Sequence, residues 1–582
     1  MHIITNVKSG AQVATCREVE GKAGKGQRCD VAILGGSITG MLTGIYLKQQ
    51  FPGLSVVVLD KPGAKPPVVG ESLTEASTLF LYEIGLAHKL EENHLPKHGL
   101  TYYFKEDLEN PEDRTYAVHG TDRLLPIPSH QVNRFTLVDE LAERAAELGV
   151  IVREGIARRV EIKRHAHQIL CKGSDGESSS FVAHWVVDAT GRSGVLAKQL
   201  GLRKRKEEQR SSFWFRLKDF DPSIIDNLDP RNVNDSFPHR LATHHFFGKN
   251  CWNWVIPLRE EGKASLMSIG TVYRSDLGAG EVRNMEEFLA YADKEHPVLA
   301  ELVRSGTVLD TNVYRNYMYD AKQVYSDEGW FLVGDAANSV DPLYSMGLAI
   351  TSVQIKQVAA MVGKDLVGEL TQEFAENLDY CHRSVFAMIQ DNITDFYKCM
   401  HDPLQAHLHV HFDTAAYFFF LLPHWMKDYA SDLHGSRWLG FCMNVGKKHI
   451  RSLQELFASA SARKGKIKSR ELFNFYEDAT NWDGGRFSES DLQRFLSSLA
   501  ISAGAMRLQY LVAARGKRFW YHLPIATLAV MFGCGIRFMP QGKTITRVRR
   551  GITSVFTAPF RALRSSKTAP QLATANPATE QF

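Results

Sequence analysis

The sequence predicts an α/β chain with a nucleotide-binding β-α-β unit near its start, a strand-rich middle and a helical end. Three observations carry this. The stretch CDVAILGGSITGMLTGIYLKQQFPGLSVVVLDK (29–61) runs from an apolar strand through a glycine turn into a helix, then into a second apolar strand that ends on an acid. Between about 207 and 320 the chain reads as strands: SSFWFRL, HHFFGK, CWNWVIPL and ASLMSIGTVY. Beyond about 365 the pattern is helical and rich in aromatics, as in AAYFFFLLPHWM.

Composition bounds the rest. At 582 residues and 44% hydrophobic, the chain can bury a large core in two or three units. A net charge of +4 lacks the basic excess of a general nucleic-acid binder. The eight cysteines are scattered and contain no CxxC pair, the pattern of reduced thiols inside a cell. The N-terminus shows no apolar signal segment, and the most apolar late stretch, Leu523 to Ile536, is interrupted by Pro524, Gly533 and Gly535. The expectation is a soluble, cytoplasmic protein.

Taken in order, residues 1–28 are polar and read as a loose tail. Gly35-Gly36-Ser37-Ile38-Thr39-Gly40 is close to the GxGxxG turn of a Rossmann-type unit, with Ser37 at the second glycine. The helix that starts there offers N–H groups and its positive end to phosphate. Asp60 lies 20 residues after Gly40, where an acid can hold ribose hydroxyls. A helix over Leu137 to Leu148 leads to short strands and WVVDATG. A strand-glycine-helix segment returns at GWFLVGDAANSVDPLYSMG, and residues 568–582 read as disordered.

Three further segments resemble the FAD-binding class that includes aromatic hydroxylases. These are Gln131-Val132-Asn133-Arg134 with Asp139 after it, Asp188-Ala189-Thr190-Gly191, and Gly334-Asp335. The resemblance implies FAD, with Arg134 meeting pyrophosphate charge and Asp335 meeting ribityl oxygen. It extends the cofactor set to Gly35, Gly36, Ser37, Thr39, Gly40, Asp60, Glu71, Ser72, Arg134, Gly334 and Asp335. Within that class, Trp252-x-Trp254-x-Ile256-Pro257 resembles the WxWxIP signature of flavin-dependent halogenases, most closely those of the pyrrole and phenol type. By its own composition the tryptophan pair reads as a core strand; the resemblance makes Trp252, Trp254, Ile256, Pro257 and Tyr344 the wall of a conduit between flavin and substrate. Pro257 is expected to end the walled part before the Arg259–Lys263 turn.

Gly70-Glu71-Ser72 resembles the family's GES segment, and LPKHGLTYYF sets Lys97 where the family's catalytic lysine precedes an aromatic strand. An ammonium can hydrogen-bond hypohalous acid, or the amine can form a haloamine. Lys89 and Lys105 are neighbours that compete for this role. In Asp341-Pro-Leu-Tyr-Ser-Met-Gly347, the resemblance implies halide on the backbone near Ser345, Met346 and Gly347. Halogenases of free tryptophan carry a glutamate where this chain has Tyr344, which directs the expectation to phenols, pyrroles or carrier-tethered rings.

The implied activity is a halogenase of secondary metabolism. It uses reduced FAD from a separate NAD(P)H-dependent reductase, O2, and chloride or bromide to make hypohalous acid, which reaches Lys97 and then an electron-rich ring. A flavin-dependent hydroxylase is the alternative; a silent FAD-binding scaffold that recruits carrier proteins is a third. The base for the reaction has no assigned residue, with Glu71 a weak candidate. No metal site is expected: His407, His409 and His411 alternate, but the segment reads as helical, where such side chains diverge. The stretch Lys543 to Lys567 holds seven Lys or Arg and no acid. It is suited to a membrane surface or an acidic carrier, although a solvated end is favoured. The expected layout is a FAD module over 29–365 with a substrate-side sheet at about 207–320, a helical cover over 366–567, and the tail.

Overall fold

A computed structural model describes residues 27–444 except 64–67, 106–115, 121–126, 174–175, 229–238, 261, 438 and 442. The basic stretch and the C-terminal tail lie outside these residues.

The first strand, Gln27–Leu34, starts two residues before the expected boundary, because Gln27 and Arg28 pair with Phe181 and Val182. Val31, Ala32, Ile33 and Leu34 are fully buried, as a parallel strand covered on both faces requires. Parallel neighbours flank it, Val56–Asp60 on one side and Ser178–Asp188 on the other. The sheet continues through Ile151–Glu154 at one edge and His167–Lys172 and Ile156–Glu161 at the other. Trp330–Leu332 lies parallel to the end of Ser178–Asp188, delivering the 334–335 segment beside the glycine turn.

A second sheet has the order Thr307–Tyr314, Ser211–Lys218, Lys263–Tyr273, Cys251–Glu260, Thr243–Gly248, Leu100–Lys105, Tyr116–His119. It is antiparallel except for the parallel pair Thr243–Gly248 with Leu100–Lys105. Five strands fall within the expected 207–320; two come from 100–119. Pro257 does not end its strand, which runs on to Glu260. Pairing with Thr243–Gly248 stops at Val255, so the missing N–H of Pro257 falls where no ladder partner is needed.

Alternation sends side chains of this sheet to two cores. Tyr103, Phe213, Phe215, Phe246 and Val255 face one side, covered by helices Met285–Glu295 and Pro297–Arg304. Tyr102, Phe104, Trp214, Phe247, Trp252 and Trp254 face the other. That side is covered by Gln372–Phe396, Pro403–Ala416, a π turn over Tyr417–Leu421, and Leu422–Met426. The histidine run lies on Pro403–Ala416, and His409 is buried 4.8 Å from the Phe396 ring. Among the described residues no helix is long and apolar enough to cross a membrane.

Candidate active site

The glycine turn is shaped by contacts that exclude side chains. Gly35 has φ +105, and a Cβ there would sit 2.5 Å from the Ala189 carbonyl. A Cβ on Gly36 would meet the Asp60 side chain at 2.5 Å, which sets that acid against the turn. Ser37 caps helix Ile38–Gln50 with extended backbone, is exposed, and makes no capping bond with its side chain. A Cβ on Gly40 would lie 1.8 Å from the Gly35 carbonyl, so only glycine lets the helix start this close. Gly334 has φ +62 and touches Thr39, which joins the second motif to the first. Asp335 is exposed in the groove and acted on by Arg134 and Arg192. Asp188 is different: it is fully buried and accepts hydrogen bonds from the Thr190 and Leu196 amides, so it locks the DATG turn.

Three distant segments then lie side by side. Gln131 bridges to Ser72, and the Val132 amide donates to the Glu71 carbonyl at 2.7 Å. On the other edge His130–Gln131 pairs with Leu95–Pro96, and the Lys97 amide donates to the Ser129 carbonyl. The segment that starts helix Arg134–Glu147 therefore also pins Lys97. Arg134 donates to the Gly70 carbonyl at 3.3 Å, while its buried Nε has no partner. Glu71 is buried, takes the Gly70 amide at 2.8 Å, and is opposed by Arg134 and bonded by Ser268. Burial still raises its carboxyl above the ordinary value. It stands with Arg134 and does not line the cavity below, which leaves it poorly placed as a base.

The 341–347 segment is held by hydroxyls and one buried ion pair. Ser345 has φ +57, and its hydroxyl donates to Ser72 at 3.0 Å; Ser72 and Thr243 hydroxyls lie 2.7 Å apart. Met346 caps the long helix Gly347–Leu366, so backbone amides at 346–347 sit at its positive end. Asp341, fully buried, takes Arg210 Nε at 2.7 Å and the Tyr397 hydroxyl at 2.8 Å.

Both indole N–H groups reach this machinery. Trp252 Nε1 donates to the Tyr397 hydroxyl at 2.8 Å, hence toward Asp341. Trp254 Nε1 donates to Ser268 Oγ at 3.2 Å, hence toward Glu71. The rings share a face, with centroids 5.8 Å apart. Neither lines the Lys97 cavity. Trp252 lies 5.4 Å from His245, which stacks at 5.1 Å on Tyr102, and Tyr102 is part of the cavity wall. The indoles stand one aromatic layer behind it, with Ile256 buried in the same cluster and Pro257 buried beside it.

That cavity, of about 90 Å³, brings together Lys97, Glu75, Met346, Tyr344, Asn392 and Asp413. Lys97 is buried, donates to the Leu73 carbonyl at 2.8 Å, and has its ammonium pushed down to about 8 by burial, against the opposing pull of Glu75. The competitors are elsewhere: Lys89 is exposed and paired with Glu143, and Lys105 lies near His296. The Tyr344 hydroxyl donates to Asp413 Oδ2 at 2.6 Å, and Asn392 Nδ2 donates to Oδ1 at 2.5 Å. Burial raises the Asp413 carboxyl to about 7. Glu75, Asn392, Asp413 and Tyr417 went unseen in the sequence. The available signal was an acid inside the aromatic helix segment HLHVHFDTAAY, where acids are seldom placed without a partner.

A parallel sheet with a glycine turn, acids at its strand ends and a covered second sheet define a flavin-binding oxidoreductase scaffold. The FAD binding domain family matches residues 28–366, and the chain belongs to it. It is 25% identical to flavin-dependent halogenase chlA of Dictyostelium discoideum over 69% of this chain and 71% of that one. It is 27% identical to the 1H-pyrrole-2-carbonyl-[peptidyl-carrier protein] chlorinase of Pseudomonas fluorescens, over 63% and 82%. The crystal structure of halogenase PltM shares the fold, with a TM-score of 0.63 and 16% identity over 84% and 98%. The chain is thus a member of the flavin-dependent halogenase family, a flavoprotein enzyme of the oxidoreductase kind.

The groove fits FAD on its own terms. A glycine turn packed too closely for side chains leads straight into the first helix, whose N-terminal amides and positive end suit pyrophosphate. Arg134 keeps a buried donor without a protein partner, and Asp60 and Asp335 present carboxylates to sugar hydroxyls.

Proposed function

We propose that the protein is an FADH2-dependent halogenase that makes hypohalous acid from O2 and chloride or bromide and halogenates an electron-rich ring, a phenol or a pyrrole, through Lys97. One observation carries this: Lys97 and Met346 line the same cavity, although 249 positions separate them in the chain. Reduced FAD, when bound, would supply about half of the electrons that O2 takes up, and halide would give the other half as it becomes hypohalous acid, one O2 oxygen leaving as water. Gly35, Gly36, Ser37, Thr39, Gly40 and Asp60 would hold its adenosine and pyrophosphate side with Arg134, and Glu71, Ser72, Gly334 and Asp335 its ribityl side. The amides of Met346 and Gly347 would hold halide, with Ser345 fixing their turn through Ser72. Lys97 then receives hypohalous acid and presents its halogen to the ring.

The aromatic layer between the indoles and the cavity supports a barrier role for Trp252 and Trp254, which exclude water and bulky rings from the cofactor side. On this reading 29–365 is the FAD module and its second sheet faces substrate, while the helices from 366 cover the ring. A separate flavin reductase supplies the reduced cofactor, as no second glycine fingerprint is present in the sequence. Relatives named for carrier-bound pyrroles make a carrier-tethered substrate a specific option.

The test is mass spectrometry of reactions with FAD, a reductase, each halide, and a panel of free and carrier-bound phenols and pyrroles. A halide-dependent gain of one halogen is expected. Hydroxylation without halide would overturn the proposal. Lys97→Ala is expected to bind FAD and consume O2 as the parent does while losing halogenation by about 100-fold or more; unchanged halogenation would remove the lysine from its role.

A further inference from the structure

The Lys97 cavity holds a second chemical group for which the halogenation scheme has no use. Asp413 sits in its wall on helix Pro403–Ala416, opposite the segment that carries Met346. Each carboxylate oxygen takes one neutral donor, Tyr344 at Oδ2 and Asn392 at Oδ1. The influences on the group are burial, that hydroxyl and that amide, and none is a cation. A purely structural carboxylate in such a place is usually paired with Lys or Arg. Here the pairing is incomplete, and each oxygen keeps a lone pair for another donor. Apolar side chains of Met388, Ile389, Ile393 and Phe418 share the wall with it, and the cavity's other carboxylate, Glu75, is the one that faces Lys97. A ring bound against those apolar side chains can set its hydroxyl on Asp413.

We infer that Asp413, fixed between Tyr344 and Asn392, is the base that takes the hydroxyl proton of the substrate, which makes phenols the substrate class of this enzyme. The inference rests on the halogenase function proposed above. The O–H bond breaks and its proton moves to Asp413. The phenolate's ring carbon forms a bond to the halogen of hypohalous acid, and the halogen–oxygen bond breaks. The departing hydroxide takes a proton from the Lys97 ammonium and leaves as water. The ring carbon then loses its hydrogen as a proton to the Lys97 amine, and Asp413 returns its proton to the phenolate oxygen. One phenol and one hypohalous acid become one halophenol and one water, and both side chains end as they began. A pyrrole has no hydroxyl to present and gains nothing from this carboxylate.

The experiment compares the full-length FAD-loaded parent with Asp413→Asn in two readouts. The first is phenol binding, followed by the ultraviolet band of bound phenolate, which needs no turnover. The second is halogenation of three rings: a simple phenol, its O-methyl ether, and a phenol acidified by nitro groups and already ionised at neutral pH. Expected is loss of the phenolate band and at least a tenfold fall in halogenation of the simple phenol, with the acidified phenol restored to near the parent rate. Equal bands and equal rates on the simple phenol, or parent preference for hydroxyl-free rings, would overturn the inference. A parent that binds phenolate but transfers no halogen would sink the halogenase proposal and leave the phenol site standing.

Discussion

Two titratable side chains face one cavity with opposite requirements. Asp413 acts as a base only when ionised, above about 7, and Lys97 as a donor only when protonated, below about 8. Halogenation of a simple phenol is therefore expected to peak in a narrow band between these values, and the acidic limb should vanish in Asp413→Asn. The titratable groups around them are Glu75 and His245 beside Lys97, with Tyr417 against Glu75, and Tyr344 and Cys399 beside Asp413. The same shifts bear on stability. Asp413 keeps its proton in the fold until about 7, whereas the unfolded chain gives it up near 3.8, so its contribution declines as pH rises through that window. Melting temperatures of Asp413→Asn and parent should diverge in favour of the variant as pH goes from about 4 to about 7. A difference that does not change with pH would place the carboxyl's titration elsewhere.

At the scale of elements, the sheet is cut to fit its tryptophans. Gly270 stands opposite Trp254, and a Cβ there would lie 2.4 Å from the indole ring and 2.7 Å from Trp214 Cβ. Gly270→Ala should lower stability by about 1–3 kcal/mol, read as a fall in the urea midpoint with unchanged slope. Local features such as the glycine turn, the acid after its second strand and the helical histidine run were legible because each is written within a few residues. The second sheet was legible only in its middle. Leu100–Lys105 reads as an aromatic strand, but its parallel partner lies about 140 positions away, and no local pattern records that. Pro257 misled because proline ends strands unless the missing N–H meets an empty ladder position, which depends on where the neighbouring strand stops. Asp413 escaped notice because its partners, Tyr344 and Asn392, come from two other elements.

At the scale of the molecule, hydrogen bonds cross from one unit to the other. Trp252 and Tyr397 lead from the second sheet to Asp341, and Arg210, just before strand Ser211–Lys218 of the same sheet, closes the set. Trp254 and Ser268 lead to the Glu71 segment. Asp341→Asn removes the charge that Arg210 needs at about 1% exposure, and the buried guanidinium left behind should cost about 3–5 kcal/mol. Its loss should be seen as a lower melting temperature with weaker FAD retention, since the same segment carries the turn at Ser345.

The aromatic layer in front of Trp252 also bears on how long each molecule lasts. Hypohalous acid attacks thioethers and indoles as readily as phenols, so every cycle that misses its substrate is a dose delivered to the walls. Met346 and Met388 stand in the cavity, whereas Trp252 is about 1% exposed behind Tyr102 and His245. Damage should therefore be ordered. Peptide mapping after many turnovers without substrate is expected to find oxygen on the two methionines first and on Trp252 last. The thioethers that face the reaction wear out so that the indoles tying the sites together do not.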